Sequence, residues 1–251
     1  MTGRITALYR HPVKGFTPER LDAVQLGVGA FFPCDRLFAV EDGPSGFDPA
    51  APAWVSKTAF TVLARLADVA RVRTAYDDDT GILTVTADGR TPIRARLADE
   101  AGRRDFALWL TEFLGEAARG PLKVVSAAGH HFTDHPEGQV SIINLASVRS
   151  LEERIGRPVD PLRFRANLYV DGWPAWSEND AVGNTIRVGE AAAEVFKPIV
   201  RCAAPDVDPA TGERNMEITK ALFEGYGHMH CGIYVKVISG GRIAEGDPAS
   251  L

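Results

Sequence analysis

The sequence predicts a mainly β fold of the α+β class, with a β-barrel or a strongly curved sheet in its first part. Three observations carry this. Short runs rich in Val, Ile, Phe and Tyr recur along the whole chain, separated by Gly, Pro and Asp. Only two or three stretches show the three-and-four spacing of an amphipathic helix. The composition, 45% hydrophobic and 24% charged over 251 residues, is that of an ordinary globular protein, so one large or two small domains can each bury a substantial core.

The elements follow in order. Arg4–Val13 (RITALYRHPV) mixes apolar and polar residues and stops at a Pro-Lys-Gly loop. AVQLGVGAFF and RLFAVED are two further short β-like runs. Gly81–Leu97 alternates on both sides of Asp88-Gly89, a dipeptide suited to the positive φ of a hairpin turn. A helix is expected over roughly Asp99–Leu114, where Phe106, Trp109, Leu110 and Phe113 share one face and read as core rather than as a cofactor box. PLKVVSAA and QVSIIN read as strands. Asn144–Pro158 reads as a helix: Asn144 caps it, Leu145, Val148, Leu151 and Ile155 form its stripe, and Gly156 and Pro158 end it. RFRANLYVDG, NTIRVGEAAAEVF and CGIYVKVI are three more strands, with a short helix over Ile218–Tyr226 before the last. A change in composition near Gly120 divides the chain into 1–120 and 121–251, and the absence of a flexible linker there predicts that the two parts pack tightly.

Bulk properties remove several classes. A net charge of −5 argues against nucleic-acid binding, though a local basic cluster can still hold a small anion. Cys34, Cys202 and Cys231 are far apart and form no CxxC pair, so neither a disulfide framework nor a structural zinc site is expected. The opening MTGRITALYRHPVKG lacks the apolar core of a signal peptide, and no apolar run of about 18 residues exists. The expectation is a cytoplasmic protein with no membrane partner. No Walker loop, dinucleotide fingerprint or nucleophile elbow is present.

Four stretches could carry chemistry. In KPIVRCAAPDVDPATG, Cys202 follows Arg201 and lies near Lys197. Neighbouring cations favour the thiolate, which attacks electrophiles or binds soft metals; the alternative is a thiol packed at a strand end. In RFRAN, a strand puts Arg163 and Arg165 on one face. They either meet an anion as bidentate donors or form structural salt bridges. In GHHFTDHPEG, His131 and His135 have helical zinc spacing, but Gly129 and Pro136 bracket the segment and argue against a helix. In GHMHCG, His228 and His230 share one face of an extended segment and Cys231 takes the other. Trp173 and Trp176 read as a packed loop or a pocket rim.

Taken together and in order, these pieces resemble the MOSC superfamily. LYRHPVKG…FFPCDRLFAVED is similar to its N-terminal β-barrel module, and HFTDHPEGQVSIINLASVRSL, RFRANLYVDG, WSEND, IRVGE, RCAAPDVDPATG and GIYVKVISGGRIAEGD are similar to the MOSC domain itself. Within it, the similarity points to amidoxime-reducing components and their bacterial counterparts. The resemblance implies a barrel-centred fold that binds molybdenum cofactor, with Cys202 as the metal's protein ligand. It implies a phosphate clamp of Lys14, Arg36 and Arg165, with Arg163, Arg201 and Lys57 nearby, and pterin contacts from Ser141 and Asn167. Asp208 would assist proton delivery or merely cap its turn. The implied function is reduction of an N-hydroxylated small molecule with electrons from a separate ferredoxin- or flavin-type protein. Sulfur transfer through a Cys202 persulfide and a non-catalytic cofactor carrier are the alternatives, and pyridoxal phosphate is not expected. Three departures stand out: the family's PVKS is PVKG here, GDR is CDR, which sets Cys34 close to Arg36, and RFRPN is RFRAN.

Overall fold

The short apolar runs become fifteen strands and the helical stripes three α-helices; the computed structural model describes residues 1–251. From the N-terminus the elements are β1 (Thr2–Arg10), β2 (Glu19–Leu21), β3 (Ala23–Leu26), β4 (Ala39–Asp42), β5 (Arg73–Asp77), β6 (Ile82–Thr86), β7 (Ile93–Arg96), α1 (Glu100–Leu114), β8 (Leu122–Val125), β9 (Val140–Asn144), α2 (Leu145–Ile155), β10 (Leu168–Asp171), β11 (Thr185–Val188), β12 (Ala191–Val200), α3 (Ile218–Tyr226), β13 (His230–Ser239), β14 (Gly241–Ala244) and β15 (Pro248–Ser250). The class is α+β, as the sequence predicts.

Seven strands close into a barrel in the order β10-β9-β13-β12-β11-β15-β1, and the pairing of β1 with β10 completes the ring. Branched aliphatic side chains from six of the seven strands fill it, with Ala249 from β15. Ile5, Leu8, Val140, Ile142, Leu168, Val170, Ile186, Val188, Val195, Ile233 and Val235 are all essentially inaccessible. Burying each such side chain stabilises by roughly 1.5–3 kcal/mol before the entropy of ordering is counted. Trp173 joins this core, its indole N–H donating to the Ala249 carbonyl at 3.0 Å. It is therefore packing, as is Trp176, which lies against Tyr226.

Strands β9 and β10 are adjacent and parallel, which demands a crossover, and α2 supplies it. Asn144 caps that helix by accepting from the Ala146 N–H at 3.0 Å, and Gly156 closes it with left-handed φ of 78°. In the first half, β5, β6 and β7 form a meander whose second turn contains Asp88-Gly89. Helix α1 buries Phe106 and Leu110 beside it, while Trp109 and Phe113 stack on each other at its half-buried edge. The two halves are sewn together: β1 lies in the barrel, β3 pairs with β14, and Val207, just after Cys202, packs in the core around α1.

One expected strand is shorter than its sequence pattern. In RFRANLYVDG only Leu168–Asp171 is strand; Pro161–Phe164 is a single tight helical turn, ended by Arg165 in left-handed conformation. Asp160 caps this turn through the Leu162 N–H at 2.9 Å, and Pro161 presets its φ. Arg163 and Arg165 consequently do not share a strand face.

Candidate functional site

A cavity of about 220 Å³ opens where the barrel meets the N-terminal half. Lys14 reaches it from the loop after β1, and Arg36 from the turn before β4. Lys57 comes from a short turn capped by Ser56, and Ser141 from β9. Arg163, Arg165 and Asn167 precede β10, and Lys197 through Cys202 form the end of β12 and its exit. A regular strand would send alternate side chains away. Here all six consecutive residues from Lys197 to Cys202 line the cavity. The β12–β13 register shifts at three places, two of them beside the cavity, between Val195 and Lys197 and between Pro198 and Val200, and such bulges re-aim side chains.

The charge of this cavity is one-sided. Seven basic side chains line it, against the single carboxylate of Asp134. Lys14 is buried, with its ammonium donating to the Phe132 carbonyl at 2.9 Å and pairing with Asp134. Burial lowers its pKa, which Asp134 partly restores. Lys57 also reaches Asp134, at 3.2 Å. Burial opposes its charge, but Asp134 and then Cys202 raise its pKa, and Lys57 and Cys202 line the same cavity.

Arg36 and Arg165 both hold left-handed backbone, at φ 53°, a conformation costly for a residue with a Cβ. Arg36 Nη2 donates to the Arg165 carbonyl at 3.0 Å, and Arg165 Nη2 to the Phe16 carbonyl at 2.6 Å. Asp35 pairs with Arg36. Arg165 has only that carbonyl as partner and no carboxylate. Burial and repulsion from Arg36 lower its pKa to about 10, which leaves it cationic at neutral pH. A partly buried cation without an anion is expensive.

The remaining predicted residues divide. Ser141 and Asn167 line the cavity but mostly satisfy each other: the Asn167 side-chain oxygen accepts from the Ser141 hydroxyl at 2.8 Å and the Ser141 N–H at 3.0 Å. Arg201 forms part of the wall, donating to the carbonyls of Cys231 and Phe164. Arg163 braces the loop after Cys202, with Nη2 at 3.0 Å from Asp208 and Nη1 at 3.1 Å from the Pro205 carbonyl. Asp208 does not line the cavity. Its Oδ1 accepts from the Ala210 and Thr211 N–H groups and caps the turn after Cys202. Cys34 also lies outside, its sulfur 3.5 Å from Asp78. No three His, Cys, Asp or Glu side chains converge as a metal site; His130, His131 and His135 pack against Phe47, Phe31 and Phe196 respectively.

Gly15 accounts for one departure from the PVKS pattern. Its φ is 92°, and a Cβ there would lie 2.4 Å from the Thr61 carbonyl oxygen, so a serine does not fit. Sequence reading missed Asp134 as the lysines' counter-charge, because it lies 120 residues from Lys14. Tyr234, on the cavity wall, read only as a strand residue.

The fold and site together are a closed barrel with a cationic cavity that has one thiol in its wall. The MOSC N-terminal beta barrel domain matches residues 2–135 and the MOSC domain residues 128–250, and the chain belongs to the MOSC family. It is 30% identical over 149 residues to the molybdenum cofactor sulfurase of Drosophila persimilis, and 35% over 140 residues to that of Drosophila mojavensis. These matches cover 54% and 52% of this chain but only 18% of either relative. Among solved structures, the YuaD protein from Bacillus subtilis aligns with a TM-score of 0.46 and 15% identity, over 100% of this chain and 97% of that one. YiiM from Geobacillus stearothermophilus aligns with a TM-score of 0.36 and 24% identity, over 45% and 54%. No helix is long and apolar enough to cross a membrane.

Proposed function

We propose that the chain binds molybdenum cofactor and acts as an oxidoreductase that reduces N-hydroxylated small molecules, drawing electrons from a separate ferredoxin- or flavin-type protein. The observation that carries this reading is the cavity's excess of positive charge around one thiol. The donor set fits the group. Arg165, lacking a carboxylate, is matched to the cofactor's phosphate, with Lys14 and Arg36 beside it. A Cys202 thiolate is a soft ligand for molybdenum, and the thiol lines the same cavity wall as the Lys57 ammonium. When bound, the cofactor supplies a metal centre that exchanges electron pairs and oxygen; the protein supplies ligation, orientation and electrostatics. Overall, reduction of the N–O bond consumes two electrons and two protons and releases water.

The relatives named molybdenum cofactor sulfurase favour a second reading. Cys202 would accept sulfane sulfur from a persulfidated donor protein, which leaves as its thiol, and pass it to a metal-containing acceptor. Metal analysis separates the two. Protein from a cofactor-producing host is expected to carry stoichiometric molybdenum, and Cys202→Ser to lose it while keeping its fold. Wild-type protein without stoichiometric molybdenum would sink the first reading. Mass spectrometry showing sulfur on Cys202 without cofactor would favour the second.

A further inference from the structure

The one carboxylate in the cavity bridges two of its lysines. Asp134 Oδ1 pairs with Lys14 and Oδ2 with Lys57. Its side chain is 42% exposed, whereas that of Lys14 is 3% exposed. Lys14 does not depend on Asp134 for its position, because the Phe132 carbonyl also holds it at 2.9 Å. The backbone on either side is anchored independently. Phe132 N–H donates to the Arg36 carbonyl at 2.8 Å, Trp54 Nε1 to the Thr133 carbonyl at 3.2 Å, and the Thr133 hydroxyl to the His135 carbonyl at 2.8 Å. The carboxylate can therefore swing out on its own side-chain torsions while the loop stays in place.

We propose that Asp134 is an internal competitor: it occupies the two lysines when no ligand is bound, yields them to a dianionic phosphate group, and holds them against monoanions. The inference rests on the anion-site reading above. Exchanging one negative charge for another gains little Coulomb energy, whereas a dianion roughly doubles the attraction to the same cations. Selectivity then comes from the cost built in against the wrong ligand.

Calorimetric titration with inorganic phosphate, at a pH where it is dianionic, and with nitrate tests this on wild-type protein, Asp134→Asn, Asp134→Ala and Arg165→Gln. Both Asp134 variants are expected to bind phosphate about tenfold tighter than wild type, and to bind nitrate measurably where wild type does not. Arg165→Gln is expected to lose phosphate affinity. If Arg165→Gln weakens binding but the Asp134 variants bind phosphate no tighter than wild type, the competitor role is overturned and the anion site stands. If Arg165→Gln binds as wild type, or no form binds phosphate, the anion-site reading falls and this inference with it.

Discussion

His11 is fully buried. Its Nδ1 is 3.2 Å from Asp35 Oδ1, and Nε2 has no partner. A neutral ring donating from Nδ1 satisfies this arrangement. Burial, reinforced by Arg165, lowers its pKa from 6.5 to about 3. Between pH 3 and 6.5 the unfolded histidine holds a proton that the folded one refuses. Stability therefore falls as the pH drops through that window, by about 1.4 kcal/mol per pH unit for one proton, and is unaffected by His11 above it. Asp35 acts in the same sense at lower pH. Burial alone would raise its pKa, but Arg36 and His11 hold it well below the usual carboxylate range, so protonation there also costs stability. Denaturant unfolding across the window is expected to give His11→Gln a pH slope lower than wild type by about one proton. Equal slopes would show that His11 titrates freely.

Helix α2 is where local chemistry and the folded result agree most closely. Its cap, stripe and stop are all decided within a dozen residues, so the pattern was readable. The same asparagine has a second task that no local pattern reveals: Asn144 Nδ2 donates to Glu178 at 2.7 Å. Glu178 is fully buried without a cation, its pKa raised by burial and held back by Asn144 and Ser147. Asn144→Ala removes both a cap and a buried donor and is expected to cost about 2–4 kcal/mol in denaturant unfolding. Asn144→Asp keeps the cap but sets a carboxylate against Glu178. It is expected to give no recovery, and recovery would mean that capping alone matters. The RFRAN segment shows the opposite case. Alternation favoured a strand, but the Asp160-Pro161 cap bent the chain first. The individual cations of the site were legible through family motifs, whereas the Asp134 bridge was not, because nothing local links positions so distant in sequence.

At the scale of the whole molecule, the barrel belongs to both halves of the chain. β1 stands between β15 and β10 and hydrogen-bonds to each. Without it, both neighbours become open edges and the Ile5 and Leu8 positions of the core are empty. A fragment of residues 121–251 is therefore expected to lack dispersed amide resonances and a cooperative melt. A folded fragment would show that the ring closes without β1.

The left-handed Arg165 sets stability and function against each other. Glycine at position 165 would relieve the backbone and remove a crowded positive charge, whereas glycine at position 36 would strand the buried Asp35 carboxylate. Glycine at position 165 would also take a cation away from the cavity. Selection for thermal resistance alone should thus drift toward a sturdier barrel with a weakened site, and arginine persists at position 165 only where ligand binding is also under selection.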